Sequence, residues 1–215
     1  MTSAAPTIVK WIRAEVEDKA AFDEAQQRWQ RVAGWPGLLG QTGGWSRERP
    51  DRAVTVALWT DPAAHDAFLA GTHDDIADPQ RGTYSSIAVD LLEVEMHTEP
   101  GSFVGPSGRP VLRIAACRLR EGRLEHALEV QRQLWLPAMR DAGMSRGLLA
   151  RRFLHSDEHT VTLVVMTWWP SHSIHERYQR EHVAQLRDDA DVATDFISVE
   201  GDLINLEPSW TLTTP

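Results

Sequence analysis

The sequence predicts an α+β fold in which two tandem ferredoxin-like (β-α-β-β-α-β) domains pack sheet to sheet as a barrel-like sandwich. Three observations lead there. The chain repeats itself: Gly37-Leu38-Leu39, a strand-like run to Trp59, a helix start and His73 recur as Gly147-Leu148-Leu149, a run to Trp168, a helix start and His182. The Trp-to-His spacing is 14 in both copies, and a repeat covering half of a 215-residue chain implies two domains of one fold. The element order, read from hydrophobic periodicity, is the same on both sides. Between the copies, residues 99–110 carry three Pro and three Gly, too many breakers for a regular element. The expected division is a first domain at 1–98, a linker at 99–110 and a second domain at 111–215.

In the first half, Thr7–Val16 is rich in β-branched residues and predicts a strand. Phe22, Ala25, Trp29 and Val32 recur at spacings of three and four, the apolar stripe of a helix over Asp18–Val32. Leu38–Ser46 and Arg52–Trp59 predict a hairpin. Its glycine-rich run, Gly40-Gln41-Thr42-Gly43-Gly44, marks a bulge or a close backbone approach. Pro62 then opens a helix capped by Thr60 or Asp61 and running to about Asp75. Ser85–His97 closes the half as a strand.

The second half repeats the pattern. Val111–Leu119 is a strand, and Gly122–Ala142 a helix with Leu124, Leu128, Gln131, Trp135 and Met139 along one face. Gly147–His155 and Thr160–Trp169 form a hairpin. A helix capped by Ser171 runs through about Asp188, and Phe196–Leu206 is the last strand. A four-stranded unit of this kind leaves one sheet face bare, and two such units cover each other.

Composition narrows the function classes. The chain is 42% hydrophobic and 25% charged with a net charge of −9, which argues against nucleic acid and anionic membrane as partners. A single cysteine, Cys117, cannot form an internal disulfide, and no apolar leader opens the chain; both fit a cytoplasmic location. Neither a Gly-x-Ser-x-Gly elbow nor a phosphate or dinucleotide loop is present. Nine Trp stand against five Phe and two Tyr, which suits wide packing surfaces or pockets for flat aromatic ligands.

The polar–aromatic groupings are Trp59 with His65 and His73, and Trp168 and Trp169 with His175, Tyr178 and His182. Helical spacing turns these histidines toward the apolar stripe. A histidine so placed either packs in the core on a carbonyl or serves as a proton-transfer group. His172 and His175 with Glu176 have the spacing of a metal pair, but the first half has no counterpart, and the cluster reads as surface. No metal site is expected.

The motif Gly37-Leu38-Leu39-Gly40, the run Val54–Trp59, the helix Thr60-Asp61-Pro62-Ala63-Ala64-His65-Asp66-Ala67-Phe68 and His73 resemble the antibiotic biosynthesis monooxygenase superfamily of dimeric α/β barrels. Gly147-Leu148-Leu149-Ala150 and Val161–Trp169 leading to His182 carry the same likeness. From Ile8-Val9-Lys10-Trp11-Ile12-Arg13 to about Glu95, the chain more closely resembles an uncharacterised bacterial branch of that superfamily. The resemblance implies an intrachain pseudo-dimer of two ferredoxin-like halves, free to dimerise further. It also implies a cofactor-independent monooxygenase for a small quinol- or anthrone-like aromatic substrate. In that reading His73, His182, His65 and His175 are the candidate bases. Trp11, Trp59, Trp168 and Tyr178 are substrate walls, and Arg13 or Arg113 stabilises an oxyanion. Haem-degrading members pair a strand-one Asn with a Trp and a His; the only Asn here is Asn205, in the last strand, which disfavours that activity. The alternative to an enzyme is a non-enzymatic, ligand-binding or stress-related barrel, with haem binding the less favoured third reading.

Overall fold

Alternating strands and amphipathic helices give each half of the chain four antiparallel strands with helices of its own in the computed structural model, which describes residues 5–98, 109–152 and 160–213. Residues 99–108 of the expected linker lie outside the described residues, as does the expected strand end at 153–155. The fold class is α+β with the expected β-α-β-β-α-β order in each half. Two compact units divide it: residues 1–94 with 204–215, and residues 95–203.

In the first unit, β1 (Ile8–Val16) lies between β3 (Arg52–Trp59) and β4 (Tyr84–His97), and β3 also pairs with β2 (Leu38–Ser46). Lys10 stands opposite Ala57 on β3 and Leu91 on β4. Strand alternation sends Lys10, Ile12 and Ala14 to the helix-covered face and Trp11 and Arg13 to the other. Helix α1 (Lys19–Gln27) starts at Asp18, whose side chain accepts from the Ala21 N–H at 3.0 Å, and tightens into a 3₁₀ turn over Arg28–Val32. Helix α2 (Pro62–Ala70) starts at Asp61, whose carboxylate accepts from the Ala64 N–H at 2.8 Å. The sequence predicts one helix from there to Asp75. The structure instead breaks it at Gly71 and restarts it as α3 (His73–Ala77). A Cβ at Gly71 would stand 3.3 Å from the Trp35 ring, so the break lets that indole close on the helix end.

The glycine-rich run in β2 combines both expected features. Its register shifts between Leu38 and Gly40, and a Cβ on Gly44 would sit 1.9 Å from the Asn205 carbonyl oxygen. That glycine admits the chain's last segment: Ile204–Leu206 pair with Gly44–Ser46, and β9 (Leu212–Thr213) pairs with Gly40 and Gln41. Between these strands Trp210 is buried against Phe22 and Trp45, with ring centroids 5.7 and 5.3 Å away, and donates its indole N–H to Asp23 at 2.6 Å.

The second unit has the strand order β6 (Arg146–Arg152), β7 (Thr162–Trp169), β5 (Val111–Leu119) and β8 (Phe196–Leu206). Both long helices contain a π turn. Helices α4 (Leu124–Val130) and α5 (Leu136–Asp141) flank Gln131–Trp135; α6 (His172–Tyr178) and α7 (Ala184–Asp189) flank Gln179–Val183. The short α8 (Val192–Asp195) delivers Asp195 to α4: its buried carboxylate accepts from Arg123 Nε at 2.8 Å and lies 2.8 Å from His126 Nδ1.

Two stability outcomes follow from these anchors. Trp210→Ala empties a fully buried site and should cost the first unit about 3–5 kcal/mol, seen in urea melts as an earlier transition. Arg123→Ala should cost the second unit about 2 kcal/mol, because Asp195 stays buried with one donor fewer.

Candidate functional site

Each unit builds a cavity between its sheet and its helices around one aromatic stack. In the second unit β7 ends in Trp168-Trp169, and alternation points Trp169 at the helices and Trp168 at the opposite face. Ser171 caps α6, its hydroxyl accepting from the Ile174 N–H at 3.3 Å, and the helix then presents His175 and Tyr178 one turn apart. The Trp169 ring lies 5.0 Å from that of Tyr178 at 31°, and 5.3 Å from that of His175 at 71°. In the first unit Trp59 meets Phe68 at 5.2 Å and 34°, and His65 at 5.4 Å and 82°. These geometries equate Trp59, His65 and Phe68 with Trp169, His175 and Tyr178. The sequence alignment of Trp59 with Trp168 is therefore one residue out of phase.

That shift separates the two histidines that the sequence treats as a pair. His73 lines the first cavity, edge-on to Trp29 and Phe68 at 5.7 and 5.6 Å, with Nδ1 2.9 Å from Asp74. Its positional equivalent is Val183. His182 is exposed, stacked on the outside of Tyr178 at 5.9 Å, and does not line the cavity. His65 is buried behind Trp59; desolvation, then the nearby Lys10 charge, hold its pKa below the usual histidine value. Of the expected walls, Trp59 and Tyr178 line cavities. Trp11, Arg13 and Trp168 are on the sheet faces turned away from them. The Arg13 guanidinium lies 3.9 Å over the Trp11 ring and pairs with Asp90.

The second cavity, about 190 Å³, is lined by Arg113, Gln131, Trp135, Trp169, His175 and Tyr178 among others. Gln131 Oε1, Trp135 Nε1, His175 Nδ1 and the Tyr178 hydroxyl are buried without a hydrogen-bond partner. Buried polar atoms are nearly always paired, so four open ones around a single cavity set it apart. The two π turns supply four of its lining residues, Gln131, Trp135, Gln179 and Val183; wider helical turns of this kind recur at functional sites. Burial, followed by the Arg113 and His172 charges, pushes the His175 pKa down to about 4, so its ring is neutral at pH 7. Burial pushes the Tyr178 phenol up and the Cys117 thiol up to about 12, so both keep their protons. Cys117 lines this cavity as an inert thiol.

The first cavity, about 280 Å³, has a different polar lining. Gln80 donates to Gln26 Oε1 at 2.9 Å and accepts from Trp29 Nε1 at 3.4 Å, and Gln41 donates to the Trp210 carbonyl at 3.4 Å. Those amides are occupied. Lys10 is buried, and desolvation alone lowers its pKa to about 8. Among the described residues no three of His, Cys, Asp and Glu converge as metal ligands would. His172 lies 3.6 Å from Glu176 instead.

Lys10 and Thr167 line the cavities without an individual sequence signal, and Gln131 and Trp135 were legible only as part of a helix face. The tandem Trp168-Trp169 does contain one clue. Counting six residues from Trp59 reaches His65, and six from Trp169 reaches His175.

Residues 8–92 match the sequence profile of a domain of unknown function, DUF4937. Bacillus subtilis (strain 168) YdbC, described as uncharacterized, is 29% identical over 92 residues, covering 40% of this chain and 77% of that protein. A crystal structure of a "putative monooxygenase" from Lactobacillus acidophilus NCFM superposes with a TM-score of 0.76 at 13% identity, over 97% of both chains. A ferredoxin-fold protein from Listeria monocytogenes 4b F2365, related to antibiotic biosynthesis monooxygenases, gives 0.55 at 10% identity over 95% of this chain and 96% of that one. Among the described residues no helix is long and apolar enough to cross a membrane. The chain has the α+β fold of the antibiotic biosynthesis monooxygenase-like ferredoxin-fold proteins, as its sequence motifs implied, and its first half is similar to the DUF4937 domain.

Proposed function

We propose that the second unit is a cofactor-independent monooxygenase acting on a small hydroxylated aromatic, an anthrone or a quinol, bound in the cavity at Trp169. The observation that carries this reading is the set of four unpartnered polar atoms around an aromatic-walled cavity, one of them the Nδ1 of a neutral histidine. The set mixes donors and acceptors: Trp135 donates, Gln131 Oε1 accepts, and the Tyr178 hydroxyl does either. A phenol or carbonyl on a flat ring satisfies such a set, while Trp135, Trp169 and Tyr178 cover its faces. The fold shared with a protein described as a putative monooxygenase and with one related to antibiotic biosynthesis monooxygenases supports the reaction class.

For an anthrone the chemistry balances without an external reductant: a ring CH₂ and O₂ become C=O and H₂O. His175 Nδ1, neutral and unpartnered, accepts the proton that leaves carbon. The substrate anion so formed offsets the burial that otherwise disfavours the imidazolium, since opposite charges attract strongly in a site of low dielectric. The Arg113 guanidinium and the Tyr178 hydroxyl, both at the cavity wall, face the negative charge that develops on the substrate oxygen. The anion reduces O₂, and the resulting hydroperoxide loses water to give the ketone.

Oxygen uptake by the metal-free full chain with 1,8-dihydroxyanthrone tests the proposal. His175→Ala and His175→Gln should each lower kcat by about 10²-fold or more, with binding of the anthrone retained in the glutamine variant. Absence of uptake with anthrones and quinols alike, the ligands still binding, would replace the enzyme with a binding protein. In wild type, kcat/KM should stay level from pH 8 down to about 5 and fall on an acid limb near pH 4, where free His175 takes up its proton. The same lowered pKa makes folding stability fall with decreasing pH between about 6.5, the unfolded value, and about 4, because the unfolded chain binds that proton first.

A further inference from the structure

The first unit's cavity differs from the second's in the kind of polar atom it leaves open. Two strong donors in its lining, one of them a cation, have no hydrogen-bond or ion-pair partner among the described residues. Trp59 Nε1 is buried without a hydrogen-bond partner. Lys10 is 7% exposed, and no hydrogen bond or ion pair joins its Nζ. No carboxylate charge figures in the shift of its pKa, which burial alone accounts for, and at about 8 the amine remains an ammonium at pH 7. Two acceptors of the lining, Gln26 Oε1 and Gln80 Oε1, are occupied in the Gln26–Gln80–Trp29 relay.

One substitution between the repeats explains why the Trp59 donor is open. In the second unit Trp169 Nε1 donates to Thr167 Oγ1, two residues earlier on the same strand, at 3.0 Å. The equivalent of Thr167 is Ala57, which has no acceptor to offer. Ala57 also stands opposite Lys10 on the neighbouring strand, as Thr167 stands opposite Arg113. The missing hydroxyl therefore leaves the ammonium and the indole N–H of Trp59 on one sheet face, lining one cavity.

We infer that this cavity binds a flat aromatic carboxylate, its anionic group held by Lys10 Nζ and Trp59 Nε1 and its rings packed among Trp29, Trp59 and Phe68. An ammonium buried without a counter-ion is costly, and an anionic ligand brings the missing charge. A cavity of about 280 Å³ accommodates a two-ring aromatic. Trp29 and Phe68 are already tilted against one another at 6.1 Å, and Trp59 against Phe68 at 5.2 Å, which leaves an apolar wall for the rings. This site lies wholly in the first unit and does not depend on oxygenase chemistry in the second.

Calorimetric titration of the full chain with 2-naphthoate, using 2-naphthamide as its uncharged match, tests the inference. The expected result is one naphthoate per chain, bound at least tenfold more tightly than the amide. Lys10→Met should abolish that preference and Arg113→Met should leave it. Ala57→Thr, which returns an acceptor to Trp59, should weaken naphthoate several-fold while sparing Lys10. Without ligand, Lys10→Met should melt at or above the wild-type temperature, because it removes an unpaired buried charge; this also verifies that the variant is folded. The inference is overturned if neither compound binds, if the two bind equally, or if the preference survives Lys10→Met and is lost in Arg113→Met.

Discussion

The end of one strand, with a tryptophan against the first turns of the next helix, is the constraint on which each unit depends. Trp59 on Phe68 and Trp169 on Tyr178 close at 5.2 and 5.0 Å with nearly equal tilts, and a histidine meets each indole edge-on. Aromatic pairs of this kind bury large areas and fix orientation as well as distance. The capped helix start, Asp61-Pro62 or Pro170-Ser171, sets how far the ring partner lies from the tryptophan. With that geometry fixed, the space between sheet and helices becomes a cavity whose walls are aromatic and whose polarity is left to a few other positions.

Those few positions have diverged. Lys10 is the equivalent of Arg113, Ala57 of Thr167 and Phe68 of Tyr178. The consequences are chemical. Thr167 occupies the Trp169 N–H, whereas Ala57 leaves the Trp59 N–H open. Tyr178 adds a hydroxyl where Phe68 has none. The π turns of the second unit carry Gln131 and Trp135 to its cavity, and the first unit has a 3₁₀ turn at Arg28–Val32 after α1 instead. A duplicated fold thus holds one cavity whose open donors and acceptors include a neutral histidine, and one that leaves an ammonium and an indole N–H open. The first arrangement suits proton removal from a hydroxylated ring, the second the retention of an anion.

The reading of the sequence reached the element order because each step had a local cause. Asp61 and Ser171 were legible as caps, and the glycines of β2 as a point of close approach. The Gly71 break was not legible; the Trp35 ring that closes on Gly71 is distant in sequence. The sites were legible in type and wrong in phase. Tryptophans and histidines were singled out, yet Trp168 and Trp169 are adjacent, and a strand turns adjacent residues to opposite faces. A shift of one residue removed Trp168 from the cavity and set His182 outside it.

By itself the sequence determined the α+β class, the twofold repeat and the helix starts, since periodicity, breakers and caps act within a few residues. Tertiary structure decided which side chains share a cavity and which polar atoms remain unpaired. Lys10 is unremarkable in the string Ile8-Val9-Lys10-Trp11; only the register opposite Ala57 and the helices packed over that face make it a buried cation. Apart from the local Trp169–Thr167 bond, hydrogen-bond satisfaction in the cavities depends on residues far apart in the chain, so their chemistry appears only once the strands are paired and the helices laid across them.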